Sequence, residues 1–376
     1  MRLTARQLNR ATLARQLLLR RESTDVAEAV RRVVALQAQE AASPYLALWN
    51  RLEPFDPADL DAAFASHAVV KATLMRITLH AVHAADYPAF RAAMLNILRG
   101  SRLYDRRFKA TGLSMAEADN LIPQVLEFAA ERRTNAEVEA LLAARLGEAH
   151  PRVWWALRTF APLIHAPTGG PWSFGLRPSY LASPVPSAEI DSAECLRRLV
   201  RRYLEGFGPA SAADVAQFTL HSRSAARDTL TALAGELEVL EGPDGTELFD
   251  VPSGPRPAAD TPCPPRLMAM WDSILLAYAD RGRVIPPEYR PTIIRRNGNV
   301  LPTLLVDGYV AGVWRPVDRG IEAMAFRRLP AQAWDGLAEE ARGLVSFLAN
   351  RESFVYGRYA HWWTELPAAE IRVLPG

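Results

Sequence analysis

The sequence repeats one order of elements three times, and this recurrence limits the possible fold more than any other feature. In the first copy, apolar periodicity predicts helices over 4–19, 25–36, 44–49 and 57–65, and branched residues over 69–82 predict a β pair. Several short helices followed by a β pair are typical of a winged helix, a form of the helix-turn-helix that ends in a hairpin. We therefore expect small helical units arranged in series.

The second and third copies follow the same order. In the second, helices are expected over 116–132, 134–146 and 152–160, and Leu163–His165 and Trp172–Phe174 are expected to pair around the turn at 167–170. In the third, helices are expected over 195–206, 212–218 and 224–234, and strands over 237–240 and 247–250. The likeness lies in the order of elements and not in a tight sequence repeat.

Capping signals support several of these helix starts. Thr4 with Gln7, and Thr134 with Glu137, have the spacing of a capping box, in which two side chains satisfy free amides at the helix start. Asp25 precedes the second helix and is a good N-cap residue.

The last third of the chain differs from the rest. The segment 252–265 is too rich in proline for a regular element, and a hairpin over 302–315, a strand over 321–327 and a helix over 332–348 are expected beyond it. The predicted fold class is α+β, with three tandem winged-helix units at 1–110, 111–187 and 188–258 and a C-terminal β-rich domain at 259–376.

Composition excludes several classes of protein. The sequence has no apolar run of 18 residues, so we expect no membrane span, and the Arg-interrupted N-terminus is not a signal peptide. Two cysteines, Cys195 and Cys263, are too few for a disulfide framework or a cysteine zinc site, which favours the cytoplasm.

Arginine supplies nearly all of the positive charge. The net charge is only +2, yet of the 44 basic residues all but Lys71 and Lys109 are arginine. A planar guanidinium suits phosphate recognition, but Arg-rich codon usage explains the same composition.

Five segments in order carry a family resemblance. They are Leu36-Gln37-Ala38-Gln39, Arg76-Ile77-Thr78-Leu79-His80, Gly208-Pro209-Ala210 leading to Ala213-Asp214, Trp271-Asp272-Ser273 with Tyr278-Ala279-Asp280-Arg281, and Pro302-Thr303-Leu304-Leu305-Val306-Asp307-Gly308. Together they resemble the AlkZ-like DNA glycosylases of the winged-helix DNA-binding family. Members carry Gln-x-Gln or Gln-x-Asp at the first motif, and this chain has Gln-x-Gln.

The resemblance implies a C-shaped arrangement around a concave face that binds double-stranded DNA. It implies monofunctional excision of N7-alkylated purines, including the unhooking of interstrand crosslinks, without metal or another cofactor. It assigns catalysis to Gln37 and Gln39 and suggests self-protection against azinomycin-type natural products. We further expect a monomer.

The spacing of the two glutamines constrains the secondary structure of the segment that contains them. Residues two apart lie about 200° apart around a helix, but they share one face of an extended segment. If Gln37 and Gln39 act together, regular helix must therefore end near Leu36. The alternative is that both glutamines cap a helix end or face water.

Other residues are candidate DNA contacts. His80 lies in the first predicted wing, where it either touches DNA, supports the glutamines or is structural. The remaining candidates are two loop groups, and a solvated turn is the alternative for each: Arg281 and Arg283, and Arg295, Arg296 and Asn297. We expect Arg197, Arg198, Arg201 and Arg202, which share one helix, to be solvated or ion-paired.

Two non-catalytic functions are also compatible with the sequence. A winged-helix regulator would prefer a defined operator as a dimer and release no base. A winged-helix scaffold would bind another protein and have lost chemistry.

Overall fold

Short helices and small antiparallel sheets alternate along the first two thirds of the chain, and a larger sheet occupies the last third. These features come from a computed structural model that describes residues 1–185 and 191–376. The domain boundary expected between 187 and 188 lies outside the described residues. None of the described helices is long and apolar enough to cross a membrane.

The first group of elements ends in a three-stranded sheet of order β1-β3-β2. Its elements are α1 (Ala5–Arg15), α2 (Val26–Arg32), β1 (Leu36–Gln37), α3 (Ser43–Trp49), α4 (Pro57–Ala65), β2 (Val69–Thr73) and β3 (Leu79–His83). The Thr4–Gln7 capping box and the Asp25 cap are present, as the sequence predicts. Helix α1 ends at Arg15, four residues before the expected end at 19.

The second group contains a sheet of order β4-β6-β5. Its elements are α5 (Tyr87–Leu103), α6 (Arg106–Lys109), α7 (Met115–Phe128), β4 (Arg133–Thr134), α8 (Asn135–Leu146), α9 (Pro151–Phe160), β5 (Leu163–Ala166) and β6 (Ser179–Ala182). The capping box at Thr134 is confirmed.

The prediction of a hairpin between Leu163–His165 and Trp172–Phe174 is wrong. Strand β5 pairs instead with β6, with Leu163 opposite Ala182. The Trp172 ring is buried 5.2 Å from the Tyr45 ring, and its indole nitrogen donates to Glu352 at 2.6 Å. These tertiary contacts hold the segment away from β5, although a local turn closes where Thr168 N donates to Ser173 O.

The third group matches its predicted order closely. Its elements are α10 (Ser192–Phe207), α11 (Ala212–Thr219), α12 (Arg223–Ala232), β7 (Glu238–Glu241) and β8 (Glu247–Asp250), and the two strands pair with each other. Most of the arginines of α10 are ion-paired, as expected: Arg197 with Glu194, Arg201 with Glu236, and Arg202 with Asp86 and Glu205.

The last third forms a five-stranded antiparallel sheet of order β13-β12-β11-β10-β9. Its elements are β9 (Arg266–Leu267), α13 (Arg290–Ile293), β10 (Thr303–Val306), β11 (Tyr309–Val317), β12 (Gly320–Ala325), α14 (Ala331–Ala349) and β13 (Glu370–Pro375). The expected hairpin, strand and helix are confirmed, and 252–265 contains no helix or strand.

The hairpin turn between β10 and β11 joins this sheet to the N-terminal helix. Asp307 binds Arg6 and Arg10 of α1, and the Asn9 amide donates to the Gly308 carbonyl at 2.8 Å. Gly308 has a φ of +81°, and a Cβ there would lie 2.5 Å from the Asn9 side-chain oxygen. Glycine is therefore required by both the turn and the close approach.

Candidate active site

The two glutamines follow a helix that ends early. Helix α2 ends at Arg32, and Val34 has a φ of +73°, which breaks the helical path. Gln37 then pairs opposite His80 in an antiparallel ladder, and Ala38 N donates to Leu79 O at 2.8 Å. The prediction that regular helix ends before the glutamines is confirmed.

Gln37 is a buried glutamine with a charged partner. Only 4% of its surface is exposed, and its side-chain oxygen accepts a hydrogen bond of 2.7 Å from Arg76 Nη2. Because a guanidinium only donates, the Gln37 oxygen must face it and the amide nitrogen must point elsewhere.

Arg76 reaches this position through an unusual turn between β2 and β3. Arg76 and Ile77 both have a positive φ, +54° and +59°. Such conformations are costly for residues other than glycine and asparagine, so the surrounding structure must hold them. The Arg76 guanidinium also lies 5.3 Å from the Phe218 ring of α11, which places it against the third group of elements.

His80 lies behind Arg76 and is fully buried. Its Nδ1 is 3.0 Å from the Thr78 carbonyl, so Nδ1 carries the proton, and Nε2 accepts from Arg76 at 3.1 Å. Burial first, and the neighbouring Arg76 charge second, hold the His80 pKa well below its usual value. His80 is therefore a neutral acceptor that orients Arg76.

The local charge is positive. Burial, with a smaller contribution from Arg281, lowers the Arg76 pKa to about 10, which still leaves the guanidinium charged at neutral pH. Its Nη1 atom is buried and has no hydrogen-bond partner among the described residues. A positively charged guanidinium therefore contacts the neutral Gln37 amide.

Gln39 is exposed where Gln37 is buried. It lies in a bend after β1 and lines a pocket of about 340 Å³ between the first and second groups of elements. Gln37 does not line this pocket. The structure therefore places both glutamines on one non-helical segment, with one amide held by Arg76 and the other open to a ligand.

Side chains from the C-terminal third brace this segment. Ser273 Oγ donates to the Ala35 carbonyl at 2.7 Å, just before β1, and Tyr359 donates to Glu40 at 2.7 Å, just after Gln39. Asp272 accepts two hydrogen bonds from the fully buried Arg51, at 2.8 and 2.9 Å. The Trp271-Asp272-Ser273 motif thus has a structural role next to the site.

Arg76 belongs to the Arg76–His80 motif, but the sequence does not predict it as a site residue. The only signal was its place in the Arg76–His80 segment, since the contact itself depends on how the β2–β3 turn folds. Its partner Gln37 lies 39 residues away in sequence.

Of the two loop groups, one lies near Arg76 and the other lies in a turn of the C-terminal third. Arg283 donates to the Pro209 carbonyl at 2.7 Å and lies 4.2 Å from the Tyr278 ring, whereas the part-buried Arg281 is close enough to Arg76 to affect its pKa. Arg296 and Asn297 are exposed in a tight turn. Beside them, Arg295 pairs with Glu365 at 3.3 Å.

A family model described as "DNA glycosylase AlkZ-like" matches residues 30–347. The chain belongs to the AlkZ-like DNA glycosylase family. It is therefore an enzyme of DNA repair, and this favours catalysis over the regulator and scaffold alternatives.

A curated relative and a solved structure are similar to this chain over most of its length. The chain is 25% identical over 363 residues to the interstrand DNA cross-link repair glycosylase of Streptomyces sahachiroi, covering 87% of this chain and 93% of that protein. It matches the solved structure of Streptomyces sahachiroi DNA glycosylase AlkZ with a TM-score of 0.79 at 23% identity, over 92% of this chain and 96% of that one. The structural likeness shows a shared AlkZ fold.

Proposed function

We propose that this AlkZ-like glycosylase hydrolyses the N-glycosidic bond of N7-alkylated purines in double-stranded DNA, including purines tied in interstrand crosslinks. Gln37 and Gln39 are its catalytic pair. The observation that carries the proposal is the non-helical segment that leaves Gln39 open at a pocket while Arg76 fixes Gln37. The relative named for cross-link repair supports the substrate class.

The mechanism follows from the charge of the lesion. An N7-alkylated purine is cationic, so its N9 leaves with the bonding electrons without prior protonation, and the sugar becomes oxocarbenium-like. A water then adds to C1′ and releases its proton to solvent. Neutral dipoles in fixed positions can stabilise such a transition state by about 3–4 kcal/mol each.

The two amides have different tasks. The Gln37 oxygen already accepts from Arg76, which reduces the negative partial charge that it offers to the sugar or to water. Gln39 is exposed, so its amide oxygen orients the attacking water and faces the developing positive charge. Gln37 supports this arrangement through its remaining amide N–H groups, which can donate to a substrate oxygen.

The site also explains selectivity. The two amides, the Arg76 guanidinium and the neutral His80 are not good general acids near neutral pH. In this proposal the Lys71 ammonium, which lines the same pocket, binds DNA and does not protonate the base. Undamaged purines need protonation to leave, so they should not be excised. An open pocket that reaches the sugar in place also suits a crosslinked nucleotide, which is hard to rotate out of the stack.

The wider arrangement is part of the proposal. Each of the three groups of short helices carries a small antiparallel sheet, which supports three tandem winged-helix units at 1–110, 111–187 and 188–258 before the C-terminal domain at 259–376. We place them in a C shape around the DNA as a cytoplasmic monomer. Self-resistance to an azinomycin-type agent is the biological role that we propose.

For the residues outside the catalytic pair, we assign DNA contacts to the side chains that are exposed to solvent. Arg296 and Asn297 are exposed in a turn, and Arg295 beside them has one ion pair to exchange for phosphate. Arg281 and Arg283 are part-buried, and we assign them to phosphate contacts as well. His80 has no exposed surface, so we assign it to supporting Arg76 and not to touching DNA.

The proposal is tested with a duplex that carries one N7-methylguanine and with a second duplex that carries a nitrogen-mustard crosslink. Each is incubated with the protein in the presence of a chelator and then treated with alkali. We expect strand breaks at the lesion, and single strands released from the crosslink. Tight binding with no alkali-labile site on either duplex would contradict the proposal.

A further inference from the structure

The pocket beside Gln39 is lined by three cationic side chains that come from different elements. Lys71 is on β2, Arg102 is on α5 and Arg158 is on α9. Of the described residues that line this pocket, none is an aspartate or a glutamate. The pocket therefore has a concentrated positive charge that its own walls do not balance.

Of the three side chains, Lys71 has the fewest partners for its positive charge. Its side chain is buried, with 5% of the residue exposed, and its ammonium nitrogen lies 4.3 Å from the Phe174 ring. No hydrogen bond or ion pair joins it to another described residue. A buried charge without a partner costs several kcal/mol, so such a group is usually completed by a ligand.

Among the described residues, the two arginines donate hydrogen bonds only to neutral groups. Arg102 donates to Thr159 Oγ1 at 2.9 Å, and Arg158 donates to Asn135 Oδ1 at 3.3 Å and to the Tyr180 hydroxyl at 3.4 Å. The four arginines of the described chain that are buried, Arg10, Arg15, Arg51 and Arg266, each pair with a carboxylate, whereas Arg102 and Arg158 are part-buried and no described carboxylate lies within ion-pair distance of either. Because none of the described residues that line the pocket is a carboxylate, an anion that balances these three cations would have to come from outside the protein.

We propose that Lys71, Arg102 and Arg158 bind one phosphate of the DNA backbone next to the nucleotide that is attacked. This inference rests on the proposed function, because it takes the anion from a DNA substrate. The pocket does not suit the lesion base itself, since an N7-alkylpurine is cationic and three cations would repel it. The phosphate lies in the pocket, and the modified base lies outside it.

The bound phosphate has two effects on the reaction. It fixes the position of the adjacent sugar relative to Gln39, which lines the same pocket. It also neutralises cations that would otherwise oppose the positive charge developing on that sugar. The three side chains are therefore positioning residues, and Gln39 remains the group that acts on the water.

The charge of Lys71 gives the pocket a pH dependence. Burial lowers the Lys71 pKa to about 8, so affinity for phosphate should fall as pH rises through 8 and above. The other groups that face this region should not titrate between pH 7 and 9. His165 has a pKa lowered to about 3, the Tyr180 pKa is raised, and the carboxylates of Asp105 and Asp61 are paired with Arg107 and Arg351.

The first test uses binding and does not depend on excision. Lys71→Met is compared with Lys109→Met, since Lys109 is the only other lysine and is exposed on α6. For undamaged duplex, we expect Lys71→Met to weaken affinity about tenfold and to reduce the slope of log K against log salt by about 0.9. Lys109→Met should match the wild type, and only the wild type and Lys109→Met should lose affinity between pH 7 and 9.

The second test locates the phosphate. Each phosphate around an N7-methylguanine is replaced in turn by a neutral methylphosphonate, and single-turnover excision is measured with the wild type, Lys71→Met and Arg158→Gln. We expect one position at which the wild type slows about tenfold and both variants slow by a smaller factor, because each has already lost one of the three cations. Thermal unfolding checks that the variants fold, and Lys71→Met should be no less stable because it removes a buried charge.

The outcomes separate this inference from the proposed function. If the wild type excises the base but both variants stay as sensitive as the wild type at every position, the phosphate pocket is wrong and the glycosylase function stands. If no base is released, the salt slope and the pH dependence still test the pocket on undamaged duplex. Faster excision by Lys71→Met would mean that the cationic base occupies the pocket, and would overturn the inference.

Discussion

Arg76 Nη2 lies 2.7 Å from the side-chain oxygen of Gln37, and this hydrogen bond joins the turn between β2 and β3 to the segment that carries the proposed catalytic pair. The same nitrogen is 3.1 Å from His80 Nε2. One guanidinium therefore orients a buried amide and a neutral imidazole together. The contact explains why a glutamine is tolerated in a buried position.

Arg76→Met should slow excision by between about 10- and 100-fold. The substitution removes a charged hydrogen bond to Gln37, which is worth about 1.5–3 kcal/mol, and frees the amide to rotate. Single-turnover release of N7-methylguanine measures the effect. Arg197→Met, in an ion pair on the face of α10, is the matched control.

Because Arg76 acts through Gln37, its loss should leave the affinity for undamaged duplex nearly unchanged. Equal losses in duplex affinity and in excision rate would show instead that Arg76 binds DNA directly.

Ser273→Ala should lower both stability and activity. Its hydroxyl satisfies the buried Ala35 carbonyl next to β1, and an unsatisfied buried carbonyl costs about 1–3 kcal/mol. The glutamine segment would also lose one of its braces. Urea unfolding and single-turnover excision measure the two effects, with the exposed Ser346→Ala on α14 as a control. Wild-type excision in a measurably destabilised variant would show that this hydrogen bond does not affect the activity of the glutamine segment.

The part-buried His165 should make the fold sensitive to acid. Burial lowers the His165 pKa to about 3, whereas in the unfolded chain it titrates near 6.5. The unfolded state therefore takes up a proton as pH falls below about 6.5 and the folded state does not, so stability decreases. At pH 5 the loss from this one residue is about 2 kcal/mol relative to pH 7.5.

The test for His165 compares the pH dependence of unfolding in two proteins. Urea unfolding of the wild type and of His165→Gln is measured at pH 7.5 and pH 5.0. The variant should lose about 2 kcal/mol less between the two pH values, whatever its absolute stability. An identical loss in both proteins would contradict the assignment of His165 as a group that stays neutral in the folded protein.

Most helix starts could be predicted from the sequence because their signals are local. A capping box needs only residues three apart, and the boxes at Thr4 and Thr134 are both present. Strand partners were harder, since pairing is decided by contacts distant in sequence. Trp172 was assigned to a hairpin, but its ring packs on Tyr45 instead, and β5 takes Ser179–Ala182 as its partner.

The candidate site was predictable to a similar extent. The spacing of Gln37 and Gln39 required the preceding helix to end, and it does end at Arg32. The partner of Gln37 could not be predicted, because two residues of positive φ, Arg76 and Ile77, fold the turn back over the strand. The pocket around Lys71 could not be predicted either, because its three cationic side chains come from elements that are far apart in sequence.

The most direct test of the central claim is single-turnover excision of N7-methylguanine from duplex DNA by Gln39→Ala and Gln37→Ala. Gln332→Ala, an exposed glutamine at the start of α14, is the control. We predict that Gln39→Ala slows excision by about 100- to 1000-fold and that Gln37→Ala also slows it strongly, each with nearly unchanged duplex affinity. Rates equal to the wild type in both variants would contradict the assignment of Gln37 and Gln39 as the catalytic pair.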